Sequence, residues 1–311
     1  MNKKIMITGG NGFIGTNICK CCLENEVDFL SIGRHGESSI VFGRGKSVDI
    51  LDKNKIVEAM KEYKPDVVIH LAGIATPVYQ DFSQLYQVNV LGTEYVLDAM
   101  TEAGLPSSTR FILTSSAGIY GNQEPMFLYE ELQPDPVNHY SYSKMIAEKI
   151  TEHKKKEYEI CIVRPFTVVG PGQVNRFFVA KLVEHFANHA KEIHVGNLRA
   201  VRDYISVEFC ARVIYQLAIT ENYPGGVLNI CSSTEYSCED VIHLLEDLTG
   251  EHPDIVSTSD NIRANEIWRL VGNNSRLRGF INGQIECESF ESVLSRMLES
   301  TKQIALNGSM A

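Results

Sequence analysis

The sequence predicts an α/β protein: a doubly wound parallel sheet with helices on both faces, followed by a smaller C-terminal lobe. Three observations predict it. Short apolar runs alternate with amphipathic stretches through the first two-thirds of the 311 residues. Runs such as VVIHLA are apolar without a polar alternation, as strands covered on both sides are. A glycine-rich turn, TGGNGFIG, separates the first apolar run from the first amphipathic one.

In chain order, strands are expected at KIMIT (4–8), VDFLSI (27–32), KSVDI (46–50), DVVIHLA (66–72), RFILTSS (110–116), EICIVRPF (159–166) and VLNI (227–230). Each is short and rich in the aliphatic and β-branched residues that fit a pleated sheet. Helical periodicity fills the gaps at 13–25, 53–63, 83–103 and 141–156. Strands joined by helices must run parallel, because a helical crossover returns the chain to the same end of the sheet. Past Gly170 the rhythm loosens: 174–190 reads as helix, 192–207 as mixed, and 208–220, 238–250 and 289–305 as helix. No internal repeat or low-complexity stretch occurs, and Leu306–Ala311 reads as an unstructured tail.

With 44% hydrophobic and 22% charged residues, the chain can bury a sizeable core. A net charge of -10 argues against nucleic acid or an anionic membrane as partner, so an anionic ligand needs individual arginines to hold it. No apolar run approaches the roughly 18 residues of a membrane span. The N-terminal run in MNKKIMITGGNGFIG is broken after four residues, too soon for a signal-peptide core. A cytoplasmic protein is expected. The eight cysteines lack metal-ligand spacing, and Cys19, Cys21 and Cys22 share one helix, which reads as packing by reduced thiols with no metal site.

Gly9, Gly12 and Gly15 recur at three-residue spacing between strand and helix. Glycine is needed where backbone approaches a pyrophosphate and where helix packs closely on strand. The helix beginning at Phe13 and Ile14 then offers free N–H groups to the phosphates. The pattern predicts a Rossmann-type dinucleotide site, with ordinary turn chemistry the alternative. The second strand ends in SIGRHGE, with Arg34 and His35 where NAD-binding chains place an acid, and Glu37 coming late. That favours NADP(H), with NAD(H) the alternative. Asp49, with Ile50, ends the third strand where adenine lies, though an aspartate there also suits a helix cap. Residues 1–167 are read as the dinucleotide-binding domain, with 203–232 returning to it. Residues 168–202 and 233–311 then form the substrate lobe.

In YSYSK, Tyr140 and Lys144 share one helical face and Tyr142 points elsewhere, into packing or along the substrate. A free phenol titrates near about 10, and an ammonium on its own face lowers that value. Taken alone, a Tyr-x-x-x-Lys pair is more often structural. TGGNGFIG, HLAG (70–73), NVLGT (89–93), SSAGIYG (115–121), YSYSK (140–144) and RPF (164–166) together resemble the extended short-chain dehydrogenases/reductases, the NAD-dependent epimerase/dehydratase family, over essentially the whole chain.

The resemblance implies a catalytic trio of Ser116, Tyr140 and Lys144, with the lysine also on the nicotinamide ribose. It implies Leu71, Ala72, Gly73 and Thr114 along the dinucleotide, and Ser115 and Asn175 along the substrate. Family dehydratases carry Asp-Glu after the hydroxyl residue; here those places are Ala117 and Gly118, which leaves reductases and epimerases. RPFTVVGPGQ (164–173), VGNLRAVRDYISV (195–207) and RANEIWRLVGNNSRLR (263–278) resemble the branch holding GDP-4-keto-6-deoxymannose reductases and GDP-mannose dehydratases. By that likeness Arg202 and Arg263 hold the sugar nucleotide's diphosphate or ribose; each could also be an ordinary ion pair. Thr167, Ala264, Asn274 and Arg276 depart from the branch's usual Asn, Pro, Asp and Lys, and bear on which sugar and base are bound.

The expectation is therefore NADPH-dependent reduction of a nucleotide-linked 4-keto-6-deoxysugar. The alternative is a nucleotide-sugar 4-epimerase with a retained NAD. A non-catalytic dinucleotide-binding protein is disfavoured, because tyrosine and lysine are both present. The resemblance also implies a homodimer through the helices within 83–103 and 141–156.

Overall fold

The computed structural model describes residues 3–34, 42, 44–76, 79–257 and 265–308. The chain opens with β1 (Ile5–Thr8), α1 (Phe13–Glu24), β2 (Phe29–Gly33), β3 (Gly45–Ser47), α2 (Lys53–Tyr63) and β4 (Val67–His70). Next come α3 (Phe82–Tyr86), a π-turn (Gln87–Leu91), α4 (Gly92–Glu102), β5 (Arg110–Thr114), a 3-10 turn (Ala117–Tyr120) and α5 (His139–His153). Then follow β6 (Glu159–Pro165), β7 (Thr167–Val169), α6 (Phe178–Ala187), β8 (Glu192–Val195), β9 (Val201–Arg202) and β10 (Tyr204–Ser206). The remainder is α7 (Val207–Ile219), β11 (Gly226–Ile230), β12 (Tyr236–Ser237), α8 (Cys238–Thr249), β13 (Asp254–Ser257), β14 (Arg269–Leu270), α9 (Ser275–Ile281) and α10 (Phe290–Gly308).

Seven strands form one sheet in the order β11-β6-β5-β4-β1-β2-β3, every pair parallel. The order reverses between β1 and β4, and a crevice opens at such a switch point beyond the strands' carboxyl ends. The unbroken apolar runs now have their reason. Ile5, Ile7, Val67 and Ile69 face the α1 and α7 side, while Met6 and Val68 face α2 and α4. Both faces are core, so neither tolerates polar alternation.

The last helix, α10, runs on to Gly308, into the stretch read as an unstructured tail, and two elements of the doubly wound part also differ from the sequence expectation. The third strand stops at Ser47 rather than running through residue 50. Asp49 turns the chain there by accepting the Leu51 N–H at 2.9 Å. The helix expected over 83–103 is two helices joined by the π-turn. Asn89 turns inward there and pairs with the Ile74 backbone, its Oδ1 accepting at 2.7 Å and its Nδ2 donating at 3.1 Å. Such π-turns concentrate at functional sites.

The short strands β7 to β10 and β12 to β14 build three small sheets against α6, α8 and α10. Asp203 ties them to the end of β11. Its fully buried carboxylate accepts from Ser232 N and Oγ, Ser233 N and Gly272 N at 2.7–3.2 Å. Cys19, Cys21 and Cys22 pack in the core, where burial pushes the Cys19 thiol up to about 12, far from thiolate chemistry. Among the described residues no helix is long and apolar enough to cross a membrane.

Candidate active site

The crevice begins at the glycine turn. Gly9 sits at φ 73°, a left-handed conformation, and a Cβ there would lie 2.9 Å from the Ala72 nitrogen. At Gly15 a Cβ would lie 2.3 Å from the Gly9 carbonyl oxygen, so α1 rests directly on the turn. Gly10 carries a requirement the three-residue spacing did not single out: a Cβ would meet Ser31 Oγ at 2.2 Å. Gly12 caps α1 without a side chain, which leaves the N–H groups of Phe13 and Ile14 facing the crevice. A cradle that any Cβ would fill, next to free helix N–H groups, fits a pyrophosphate.

Leu71 to Gly73, leaving β4, form the opposite wall, and a buried chain of polar groups fixes them. Thr8 Oγ1 accepts from Leu71 N at 3.2 Å and Ala72 N at 3.1 Å. The Thr93 hydroxyl gives its proton to the Asn89 carbonyl at 2.7 Å. His70 Nε2 must therefore donate to Thr93 Oγ1 at 3.1 Å, leaving Nδ1 to accept from the Thr8 hydroxyl at 2.7 Å. Burial, with the nearby Lys144 charge, holds His70 neutral by pulling its pKa down to about 3. The sequence reading missed these three residues; their signal was polar side chains inside HLAG, NVLGT and the first strand.

Arg34 lies exposed just past β2, on the sheet half next to the glycine turn. His35 and Glu37 lie outside the described residues. Asp49 is partly exposed beside buried Ile50, on whose Cδ1 a Cβ at Gly92 would press at 2.6 Å. The cap of α2 is not Asp49 but Asp52, which accepts from Lys55 N at 3.2 Å.

At the other end, Ser116 begins the 3-10 turn after β5, its Oγ accepting from Gly118 N at 3.1 Å. Tyr140 lies in the first turn of α5, which Asn138 caps through Ser141 N at 2.9 Å. Asn89 Nδ2 also donates to Ser143 Oγ at 2.9 Å, locking the π-turn to the stretch between Tyr140 and Lys144. Lys144 is buried, donates to the Thr114 carbonyl at 2.9 Å, and lies 3.5 Å from where a Cβ on Gly73 would be. The structure thus brings Ser116, Tyr140, Lys144, Thr114 and Gly73 together. Tyr142 points away and is 43% exposed, so packing is not its role.

The electrostatics correct one expectation. Burial pushes the Tyr140 phenol above its ordinary value, and only a hydrogen bond from the Ser116 hydroxyl works the other way. Lys144 turns its ammonium to the β5 carbonyl, and burial lowers Lys144 itself to about 8. Tyr140 therefore stands ready as a proton donor. The hydroxyls of Thr114 and Ser115 are buried without a protein partner, as groups awaiting a ligand are.

In the lobe, Arg202 is paired with Glu266 at 2.7 Å, both largely buried, and also donates to the Val201 carbonyl at 2.9 Å. Glu266, inside RANEIW, was not anticipated as its partner. Exposed Asn175 donates to Glu184 Oε2 at 2.9 Å. Arg263 lies outside the described residues.

A model of the NAD dependent epimerase/dehydratase family matches residues 5–231. The chain belongs to that family. Within it, the chain is 32% identical over 297 residues to a GDP-6-deoxy-D-talose 4-dehydrogenase of Aggregatibacter actinomycetemcomitans, covering 96% of this chain and 97% of that protein. It is 28% identical over 292 residues to a GDP-6-deoxy-D-mannose reductase of Pseudomonas aeruginosa, covering 89% and 90%. Among solved structures it superposes on RMD from Pseudomonas aeruginosa complexed with NADPH with a TM-score of 0.84 and 26% identity, covering 97% and 99% of the two chains. The doubly wound sheet expected from the sequence is thus the epimerase/dehydratase fold.

Proposed function

We propose that the protein is an NADPH-dependent reductase of the 4-keto group of a nucleotide-linked 4-keto-6-deoxysugar, with a GDP-linked sugar as the favoured class. Two relatives over nearly the whole chain are named for GDP-linked 6-deoxyhexoses, and one solved neighbour was captured with NADPH. Dehydrogenation at C4 and reduction at C4 are one reaction in opposite directions, so the two names describe compatible chemistry.

NADPH, when bound in this crevice, would supply the hydride that reduces the sugar's C4. Ser116 donates a hydrogen bond to the carbonyl oxygen and orients it. Tyr140 then gives its proton to that oxygen as charge develops, which suits a phenol that burial keeps protonated. Lys144, an ammonium on the same helix face, supports the phenolate that is left and reaches the ribose. Leu71 to Gly73 and Thr114 would wall the nicotinamide end, Gly9 to Gly15 would hold the pyrophosphate, and Ser115, Asn175, Arg202 and Arg263 would hold the sugar nucleotide.

The observation that carries this reading is the junction of Ser116, Tyr140 and Lys144 at the end of β5. Ala117 and Gly118 are buried, and a side chain at Gly118 would meet Ser141 Oγ at 2.9 Å. Neither residue can give or take a proton, so these two positions lack a dehydratase's acid–base pair.

The test is incubation with NADPH and a panel of 4-keto-6-deoxysugar nucleotides differing in base. Stoichiometric loss of reduced cofactor is expected. Redox-neutral interconversion of C4 epimers would select the epimerase instead.

Arg34 is proposed to read the 2′-phosphate of NADPH. Arg34→Glu is expected to shift the NADPH-to-NADH preference by about tenfold or more, the scale of one charge-assisted hydrogen bond. An unchanged ratio of kcat/KM values would place that recognition elsewhere.

The division into 1–167 with 203–232, and 168–202 with 233–311, belongs to the same proposal, as does a cytoplasmic homodimer. Phe82, Leu91 and Tyr142 are large exposed apolar residues on α3, the π-turn and α5, where such a dimer closes. A sedimentation mass of one chain would remove the dimer.

A further inference from the structure

An ammonium buried as Lys144 is requires a counter-charge. Among the described residues its hydrogen-bond acceptor is the uncharged Thr114 carbonyl of β5. From β4 it faces neutral His70, from the π-turn the amide of Asn89, and from its own helix the phenol of Tyr140. None of these is an anion. One turn further along the same face of α5 stands Glu148, itself only 3% exposed.

That carboxylate is held from β6. Arg164 Nε donates to Glu148 Oε1 at 3.0 Å and Nη2 donates to Oε2 at 2.7 Å, a bidentate grip. The other arm, Nη1, donates to the Tyr120 hydroxyl at 2.9 Å and the Glu130 carbonyl at 3.2 Å. Tyr120 in turn donates to Asn229 Oδ1 at 2.7 Å, and Asn229 N donates to Glu130 Oε1 at 2.9 Å. The carboxylate is therefore a fixed charge at a fixed place, anchored to β6 and β11.

We propose that Glu148, fixed by Arg164, is a positioning residue that keeps Lys144 charged beneath Tyr140. The inference rests on the reductase reading only for why a charged Lys144 matters. Its support is the stacking of Tyr140, Lys144 and Glu148 at four-residue spacing on one helix face, together with the geometry of the pair. Glu148 is also the charge that opposes the effect of burial on Lys144.

The test is a titration of Lys144 in the full-length protein carrying 13Cε-labelled lysine, its signal assigned by loss in Lys144→Met. Glu148→Gln removes the counter-charge and is expected to lower the midpoint by about one unit, the scale of one charge pair at partly buried separation. Glu148→Gln with Arg164→Gln replaces a buried ion pair by neutral partners, a change proteins tolerate; the midpoint falls there too, but by less, because the opposing guanidinium is removed as well. Glu148→Asp keeps the charge with a shorter reach and restores most of the shift.

A role confined to packing would leave all three midpoints at the wild-type value, and that result would overturn the proposal even if one variant fails to fold. No sugar substrate enters the measurement. Absence of turnover on keto-sugars would sink the reductase reading without touching this one, and an unmoved midpoint would do the reverse.

Discussion

Tyr140→Phe is expected to lower turnover about a thousandfold while leaving NADPH affinity within about twofold, the range by which general acid catalysis accelerates a proton transfer. The substitution removes one oxygen. The ring stays in the first turn of α5, whose cap on Asn138 and tie from Asn89 to Ser143 do not involve the phenol. The glycine turn is untouched. What is lost is the group that would protonate the developing alkoxide, and Ser116 cannot replace it, because a serine hydroxyl is a far weaker acid. Single-turnover rates with a keto-sugar nucleotide, beside a fluorescence titration with NADPH, separate the two quantities. Near wild-type turnover would remove Tyr140 from the chemistry; parallel loss of binding would make it a structural residue.

Arg164→Leu is expected to cost about 3–5 kcal/mol of stability, read from the denaturant midpoint, because it leaves the Glu148 carboxylate buried and unpaired. Glu148 and Arg164 are 3% and 4% exposed, so water cannot take over the lost contacts. The Tyr120 hydroxyl and the Glu130 carbonyl lose a donor as well. Leucine at both Glu148 and Arg164 is expected to recover most of that loss, since a hydrophobic pair of similar volume often matches an ion pair in the core. The surface pair Lys149–Glu152 is the contrast: solvent-exposed, it is worth about 0–1 kcal/mol and its removal goes unnoticed. A loss below about 1 kcal/mol in Arg164→Leu would mean the pair is hydrated or dispensable.

Much of the fold was readable residue by residue. Hydrophobic periodicity is a local property, so β1, β2, β4, β5, β6 and β11 and the principal helices lie within a few residues of expectation. The departures share a cause. β3 stops early because the Asp49 side chain competes for backbone N–H groups, and the helix at Asn89 widens because its amide serves Ile74 in the loop after β4. In both, one polar side chain outweighs propensity through a partner that no window of neighbours contains.

The site divides in the same way. That Tyr140 and Lys144 share a face follows from the helical repeat alone, and that Gly9 and Gly15 must be glycine follows from strand–turn–helix chemistry. Both are short-range geometry, which the order of residues specifies by itself. Tertiary structure decided which charges those residues carry and what they meet. Enclosure keeps Tyr140 a phenol and draws Lys144 down to about 8; Glu148 finds Arg164, and Arg202 finds Glu266, across gaps of 16 and 64 residues. Desolvation and long-range pairing come into being only when distant segments exclude water together, and so no spacing along the chain could have stated them.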